Sequence, residues 1–345
     1  MSTSDSNCKD GASKSKSDVN NMLQNMRIDA AVSVCANYCG KEGDDINNTC
    51  NKCKIVKYCN ATCKKKHRHK HKKQCEEHVR LATEQHYAEL KRAAELHDEE
   101  LFKPPPPAED CPICFLRLPS LGSGSQYYAC CGKLICCGCV HAPVYDNQGN
   151  IVAEKKCPFC RTPYPNSEDE AVKRLKKRFE VDDPEAIYDI GCYYRDGTNG
   201  YAQDYTKALE LFHRVGELGY ARAYGYIGHS YANGVGVEVD TKKANHYWEL
   251  AAIGGDSMAR CKLGIMEVLA DNFDRAIKHC MIAIRCGSSE SLEAIKRLHS
   301  DGCATKEDYA TALLSYQAYL SEIKSPQRDI AAQLDERYRY YELGE

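Results

Sequence analysis

The clustering of cysteine limits how this chain can fold more than any other feature. Residues 130–139 read CCGKLICCGC, five cysteines in ten positions, and the chain of 345 residues contains 22. This density indicates either a disulfide framework or metal binding. The first residues, MSTSDSNCKDGASKSKSD, lack the apolar segment of a secretory signal. We therefore expect an intracellular, reducing compartment, cytoplasmic or nuclear, where clustered thiols are metal ligands more often than disulfides.

Four cysteine pairs follow one another between residues 108 and 165, a region called here the second finger. Each pair can give two thiolates to a tetrahedral zinc ion. The pairs are Cys111/Cys114, Cys130/Cys131, Cys136/Cys139 and Cys157/Cys160. This order suits an interleaved arrangement, in which the first and third pairs bind one ion and the second and fourth bind the other. Cys137 is then left over, although an alternative pairing through Cys131 and Cys137 stays open.

The second finger resembles the RING finger in its segments CPIC, CCGKLICCGC and CPFCR. RING fingers commonly carry a C-x-H-x-x-C motif in the middle, and here Lys133 stands where the histidine belongs. Lysine is a poor zinc ligand, so the tandem Cys130–Cys131 serves in an all-cysteine version. RING fingers mostly act as ubiquitin ligases, which position a ubiquitin-charged conjugating enzyme instead of forming a covalent intermediate.

The RING resemblance also implies roles for residues beside the ligands. Ile113 and Pro158 match the positions that contact the conjugating enzyme. Arg161, directly after the last ligand, matches the catalytic cation that bridges this enzyme and ubiquitin, and the planar guanidinium suits that task. Val140 or Val144 is the candidate for the apolar residue that the family carries on the following helix.

A first finger is predicted over residues 31–76, where CANYCGKEGDDINNTCNKCKIVKYCNATCKKKHRHKHKKQC ends in a histidine four residues before a cysteine. This closing pattern resembles the MYND finger, which also interleaves two zinc ions and generally binds proline-containing peptides. The resemblance implies two ligand sets: Cys35, Cys39, Cys59 and Cys63 for one ion, and Cys50, Cys53, His71 and Cys75 for the other. Together the two fingers predict four zinc ions as the cofactors of the chain, two per finger.

The basic run KKKHRHKHKK within the first finger could indicate nucleic-acid binding. We do not expect this function, because no aromatic side chains interleave with the cations to stack bases. His67 and His69 are predicted to be surface residues, since His71 alone has the spacing of a ligand. Protein partners are therefore expected for this finger.

The segment EEHVRLATEQHYAELKRAAELHDEELFK contains no glycine or proline and predicts a helix over residues 76–101. Four prolines, residues 104–107, then end it. Its apolar stripe is too weak for a coiled-coil dimer, so we expect a spacer in a mainly monomeric protein. The sequence contains no apolar run of the length needed for a membrane span.

The C-terminal half contains an internal repeat of about 36 residues. Glycines recur in step at two positions of each unit: Gly191, Gly228 and Gly264 at one, and Gly219, Gly255 and Gly287 at the other. Asp204 and Asp240 stand where a second helix needs an N-cap. The pattern predicts helix pairs that stack into an α-solenoid. It resembles Sel-one-like repeats, relatives of tetratricopeptide repeats.

The predicted fold is multidomain: two small zinc-stabilised cross-brace fingers joined by a helical linker, followed by an all-α solenoid of helix-pair repeats. The predicted parts are a disordered N-terminus (1–30), the first finger (31–76), the linker (77–107), the second finger (108–165), the repeats (169–324) and a helical tail (325–345). Two functions are compatible with these parts. One is a RING-type ubiquitin ligase whose first finger and repeats recruit protein substrates. The other is a non-catalytic adaptor that assembles protein complexes.

Overall fold

The computed structural model describes residues 48–120, 122–146 and 148–341. The chain divides into two compact units, Met1–His97 and Asp98–Glu345. The predicted disordered N-terminus lies outside the described residues, as do the predicted ligands Cys35 and Cys39.

The described part of the first unit is a short hairpin followed by a long helix. Strands β1 (Asn48–Thr49) and β2 (Lys57–Tyr58) pair antiparallel. Helix α1 (Ala61–Leu101) then begins inside the first finger and continues into the second unit. The side chain of Asn60 accepts a hydrogen bond from the amide of Cys63 at 2.8 Å, which satisfies one of the open donors of the first turn. The predicted helix over 76–101 is therefore the C-terminal part of a longer one.

The second unit begins with the end of α1, which is anchored on the repeats. Leu101 is buried, and its carbonyl oxygen accepts a hydrogen bond from the guanidinium of Arg260 at 2.6 Å. The ring of Phe102 lies 4.7 Å from that of His279. Burial lowers the pKa of His279 to about 4, so this imidazole is neutral in its apolar setting.

The second finger consists of a hairpin, one short helix and the loops around them. Strands β3 (Ser125–Tyr128) and β4 (Lys133–Cys136) pair antiparallel, with Tyr128 opposite Lys133. Gly132 has a φ of +67°, as the tight turn between the strands requires. Helix α2 (Cys137–His141) follows β4 directly, and all of its residues are buried.

The rest of the second unit is helical. Its helices are α3 (Glu168–Phe179), α4 (Pro184–Asp196), α5 (Tyr205–Glu217), α6 (Ala221–Asn233), α7 (Thr241–Ile253), α8 (Ser257–Leu269), α9 (Phe273–Arg285), α10 (Ser289–Ser300), α11 (Lys306–Ile323) and α12 (Pro326–Leu334). Consecutive helices from α4 to α11 contact each other in pairs, α4 with α5, α6 with α7, α8 with α9 and α10 with α11, as the repeat predicts. The carboxylates of Asp204 and Asp240 accept from the amides of Lys207 and Lys243, which confirms both predicted N-caps.

Small residues let the two helices of each pair approach closely. A Cβ added to Gly228 would lie 2.5 Å from the indole of Trp248, and one added to Gly191 would lie 2.8 Å from the ring of Phe212. Each large side chain therefore packs directly onto the backbone of the facing helix. Gly191 and Gly228 are therefore sites of close packing. Gly219 and Gly255 recur for another reason, since their φ angles of +91° and +97° lie in the region that favours glycine.

The second finger is packed against the last repeats. Cys137 lies in the same buried cluster as Ile284 and Tyr340. Arg117 forms an ion pair with Glu322 at 2.5 Å. Because apolar and polar contacts act together here, the finger and the repeats form one packed body.

None of the helices described by the structure is long and apolar enough to cross a membrane.

Candidate metal centres

The first metal centre of the second finger is formed by Cys111, Cys114, Cys136 and Cys139, whose sulfur atoms all lie within 4.8 Å of one another. Three different elements position these cysteines. The first two lie in a turn closed by a hydrogen bond from the amide of Cys111 to the carbonyl oxygen of Leu116 at 2.9 Å. The other two come from the end of β4 and from α2.

The second metal centre of this finger brings together Cys130, Cys131, Cys157 and Cys160, again within 4.8 Å. The first two follow β3, and the other two belong to a turn in which the amide of Arg161 donates to the carbonyl oxygen of Cys157 at 2.9 Å. The two groups have the interleaved order that the sequence predicts.

Cys137 belongs to neither group. Its side chain is 1% exposed and lies in the apolar cluster of the last repeats. The alternative pairing through Cys131 and Cys137 is therefore not the one that the structure brings together. Burial raises the pKa of the Cys137 thiol to about 12, so that it stays protonated at neutral pH.

The distances within both groups fit zinc. A tetrahedral ion with bonds of about 2.3 Å to sulfur places the sulfur atoms about 3.8 Å apart. The observed distances are 3.7 Å between Cys114 and Cys136, 3.7 Å between Cys131 and Cys157, and 3.4 Å between Cys130 and Cys160. No disulfide joins the cysteines of residues 48–120, 122–146 and 148–341. These residues could thus hold two zinc ions.

In the first finger the structure brings together Cys50, Cys53, His71 and Cys75. The Nε2 atom of His71 lies 3.4 Å from the sulfur of Cys53, and the sulfur atoms of Cys50 and Cys75 are 3.5 Å apart. Burial, together with the charge of His67, lowers the pKa of His71 and favours the neutral imidazole that a metal requires. Nδ1 of His71 is buried and has no hydrogen-bond partner among the described residues.

The other predicted centre of the first finger is described only in part. The sulfur atoms of Cys59 and Cys63 lie 3.4 Å apart. Their predicted partners Cys35 and Cys39 lie outside the described residues. His67 is half-buried, with its Nδ1 3.2 Å from the hydroxyl of Tyr58, and His69 is exposed. Neither histidine belongs to a cluster of possible ligands in the described part of the chain.

Thiols at these centres must lose protons to bind a metal. Burial and a hydrogen bond to Cys50 raise the pKa of Cys75 to about 12, and burial with a hydrogen bond to Cys157 raises that of Cys131 to about 11. At Cys160, burial raises the pKa of the thiol, but hydrogen bonds from the side chain and backbone of Thr162 outweigh it and lower the pKa to about 6. Metal binding therefore releases protons, and its affinity falls as the pH falls.

The side chains next to the ligands leave an apolar and cationic surface on the second finger. Ile113 is 36% exposed, Pro158 is half-buried and Arg161 is exposed. The structure adds two apolar side chains that the sequence reasoning missed, Phe115 at 78% exposure and Phe159 at 46%. Their positions in the sequence could have indicated them, since each adjoins a ligand of a C-x-x-C pair.

Val140 or Val144 was the candidate for the apolar surface residue that the RING family carries on the helix after Cys139, and this expectation was wrong. Val140 and Val144 are 4% and 3% exposed. Val140 is buried because α2 packs between the core of the finger and helix α12, and Val144 is buried in the turn that follows α2. Neither valine can therefore contribute to a surface for a conjugating enzyme.

Comparison with known proteins identifies two families within the chain. The model of the MYND finger matches residues 35–75. The model of the Sel1 (Sel-one-like) repeat matches residues 184–220 and 221–256. These two matches confirm the resemblances of the first finger and of the repeats.

Curated relatives match over short stretches. The ERAD-associated E3 ubiquitin-protein ligase component HRD3B of Arabidopsis thaliana is 27% identical over 113 residues, which are 32% of this chain and 18% of the relative. The E3 ubiquitin-protein ligase DA2 of the same plant is 42% identical over 55 residues, 16% of this chain and 12% of the relative. The E3 ubiquitin-protein ligase GW2 of Oryza sativa subsp. indica is 39% identical over 70 residues, 20% of this chain and 15% of the relative. The chain thus spans less than a fifth of the length of each of these relatives.

Two solved structures are similar in fold. A Sel1 repeat protein from Oxalobacter formigenes is 23% identical, with a TM-score of 0.39, over 51% of this chain and 68% of that protein. A protective antigen of uropathogenic Escherichia coli that displays an SLR fold is 23% identical, with a TM-score of 0.37, over 48% of this chain and 40% of that protein. The two family matches, together with the helices of the structure, show that this chain contains a MYND-type zinc finger followed by an all-helical region of Sel1 repeats.

Proposed function

We propose that this protein is a zinc-dependent RING-type ubiquitin-protein ligase. Its second finger positions a ubiquitin-charged conjugating enzyme, and its first finger and repeats recruit protein partners. The observation that carries the proposal is the interleaved order of the eight cysteines in two groups of four, with Arg161 exposed directly after the last of them. The similarity to proteins named E3 ubiquitin ligases supports it further.

The conformation around Arg161 suits a residue that contacts bound partners. Its amide closes the turn of Cys157, and its φ of +64° lies in the left-handed region. Its guanidinium forms no ion pair with the described residues. The side chain is therefore free to donate hydrogen bonds to carbonyl oxygens of a conjugating enzyme and of ubiquitin at the same time.

In this mechanism the protein positions groups and forms no bond to ubiquitin itself. An amine of the substrate attacks the thioester carbonyl carbon and a carbon–nitrogen bond forms. The carbon–sulfur bond breaks, the cysteine of the conjugating enzyme leaves as thiolate, and the proton of the amine passes to solvent. Arg161 restricts the thioester to poses open to this attack, which lowers the entropic part of the barrier. Ile113 and Pro158 hold the conjugating enzyme. Zinc, when bound by the two groups of cysteines, would supply structural cross-links that fix the two turns carrying these residues.

Discharge of ubiquitin from a charged conjugating enzyme to free lysine tests the role of Arg161. Arg161→Ala should slow discharge about tenfold or more, since a hydrogen bond from a charged donor contributes about 1.5–3 kcal/mol. Arg161→Lys should recover part of the rate, because an ammonium group cannot reproduce the guanidinium fork. Zinc content and thermal midpoint should stay unchanged. Arg92→Ala, which removes an exposed arginine of helix α1, is the control for loss of surface charge.

Docking of the conjugating enzyme is measured separately, by a binding titration without ubiquitin. Ile113→Ala should weaken this binding. Ile151→Ala is the matched control, because Ile151 is also an exposed isoleucine of the second finger, at 64% exposure. If wild-type protein discharges no conjugating enzyme in a broad panel and Ile113→Ala changes no binding, the ligase proposal fails.

The adaptor function is the second candidate, and one observation favours it. Helix α2, which contains Val140, is wholly buried, and so is Val144 in the turn after it, so the surface that the RING family builds on this helix is absent from the described residues. An adaptor would bind protein partners with no discharge activity. The same assay separates the two candidates, because an adaptor predicts equal, background rates for wild type and Arg161→Ala.

Partners would be recruited by the first finger and the repeats. MYND fingers bind proline-containing peptides, and we propose the same for this one. Within the second unit, a cleft of about 1820 Å³ lies between the repeats, the second finger and the proline segment 105–107. The cleft is large enough for an extended peptide, and Asp189 and Tyr220 of the repeats line it.

A further inference from the structure

Arg328, in the first turn of helix α12, is buried to 0% exposure although its side chain carries a charge. Its helix begins with the N-cap Ser325, whose side chain accepts from the Arg328 amide at 3.3 Å. The backbone of Arg328 lies directly against α2, since a Cβ added to Gly138 would be 2.8 Å from the backbone nitrogen of Arg328. Gly138 therefore allows the C-terminal helix to reach the second finger.

The guanidinium of Arg328 points at the first metal centre. Its Nη2 atom lies 3.7 Å from the sulfur of Cys114 and donates to the carbonyl oxygen of Leu116 at 3.3 Å. Its Nη1 atom donates to the carbonyl oxygens of Arg117 at 2.8 Å and of Ile323 at 2.7 Å. One side chain thus links the turn of Cys114 to the end of α11.

These partners leave the positive charge without a carboxylate. Among the described residues no Asp or Glu forms an ion pair with Arg328, and its partners other than the thiols of Cys114 and Cys136 are neutral carbonyl groups. A buried charge without an opposite charge is strongly unfavourable. Four thiolates around one zinc ion carry a net charge of about −2, counting the ion. The loaded metal centre would supply the counter-charge that the protein itself does not.

We propose that Arg328 is a positioning residue of this centre: it donates a hydrogen bond to the zinc-bound sulfur of Cys114 and neutralises part of the cluster's charge. The C-terminal helix thereby completes the second finger from 214 residues away in the sequence. This inference rests on the proposed function, because it requires zinc in the second finger. Groups that hydrogen-bond to metal ligands commonly change metal affinity about 10–100-fold when they are lost.

The test uses the zinc-loaded full chain and follows alkylation of each cysteine by N-ethylmaleimide with peptide mapping. Arg328→Met should make Cys114 react about 10–100-fold faster, with the other three ligands of its centre following as zinc leaves. Cys130, Cys131, Cys157 and Cys160 should keep their protection. Arg328→Lys should restore part of the protection at Cys114, because it keeps the charge and one donor.

Arg260→Met is the matched control. Arg260 is also a buried arginine of the second unit, at 1% exposure, and it also donates to a backbone carbonyl. Among the described residues it makes no hydrogen bond to a sulfur atom. This variant should lower the thermal midpoint of the repeats while leaving the reactivity of the finger cysteines unchanged.

Three results would overturn the inference. Unchanged reactivity of Cys114 in Arg328→Met would show that the hydrogen bond to sulfur has no effect. An equal increase at all eight ligands, with no rescue by lysine, would make Arg328 a tether of the finger only. Rapid alkylation of all eight in wild-type protein after zinc loading would remove the metal centres themselves, and the proposed function would fail with them.

Discussion

The second finger and the repeats belong to one packed body, yet they are stabilised in different ways. Beside its cysteines, the buried cluster of the second finger contains Leu118, Tyr128, Ile135 and Val140. The repeats bury much larger groups, such as Trp248 against the backbone of the facing helix. A region with so few apolar side chains needs metal bonds in place of a core. The repeats need only the stacking of neighbouring helices.

The two regions meet where this difference matters most. Cys137 of α2 is packed among residues of the last repeats, and Arg328 of α12 reaches the first metal centre. The boundary between metal-dependent and metal-independent structure therefore lies inside one packed body, near the C-terminal helices.

The largest effect should come from losing a predicted ligand. Cys157→Ser should release the zinc of the second centre and unfold the second finger, because Cys157 is 1% exposed and no other described cysteine can take its place. Zinc content by elemental analysis and limited proteolysis measure this. Cys192→Ser is the control: burial raises the pKa of Cys192 to about 11, it belongs to no metal centre of the described residues, and the variant should keep its zinc. Equal zinc content in the two variants would refute the assignment of Cys157.

A smaller effect is expected for close packing in the repeats. Gly228→Ala should destabilise them by about 1–3 kcal/mol, because the new methyl group would lie against the indole of Trp248. Gly225→Ala, on the same helix, places its methyl group no closer than 3.8 Å to Asp256 and should stabilise the protein by up to about 1 kcal/mol. Chemical denaturation measures both values. A gain of stability of the same size in both variants would mean that helix propensity, not packing against Trp248, decides.

The N-caps should contribute less. Asp240→Ala removes the acceptor for the amide of Lys243 and should destabilise the repeats by about 1 kcal/mol. Asp240→Asn should be close to wild type, since asparagine caps equally well. Thermal unfolding of the three proteins gives the comparison, and an asparagine variant as unstable as the alanine variant would contradict it.

The smallest effect concerns pH. The amide of Lys207 lowers the pKa of Asp204 in the folded state, so the stabilisation is present above the unfolded pKa and is lost as the pH falls through the folded one. Between about pH 6 and pH 3, wild type should lose slightly more stability than Asp204→Asn, which does not titrate. If the thermal midpoints of wild type and Asp204→Asn changed in parallel across this range, the carboxylate of Asp204 would not be the source of this pH dependence.

Local spacing in the sequence predicted much of this structure. The recurring glycines placed the helix pairs, because they mark either a close approach, as of Gly228 to Trp248, or a turn with positive φ, as at Gly219. The four cysteine pairs, three of them C-x-x-C, predicted which sulfur atoms meet in the second finger, since two thiolates so close in sequence can share a metal. Their occupation by zinc and the role of Arg161 stay predictions.

Contacts between distant segments could not be predicted in this way. Arg328 approaches Cys114 across 214 residues, and no spacing rule connects them. The burial of Val140 has the same origin, because it depends on helix α12 packing over α2. A single sequence carries periodicity within an element but no direct signal for which distant surface covers it.

Hydrogen exchange of the full chain before and after removal of zinc by a chelator tests whether the second finger depends on metal while the repeats do not. We predict that the amides of the second finger lose their protection and that helices α5 to α8 keep theirs. Helices α3, α4, α11 and α12 should lose part of it because they contact the finger. Uniform loss of protection through α5 to α8 would contradict this division, and so would a second finger that stays protected without metal.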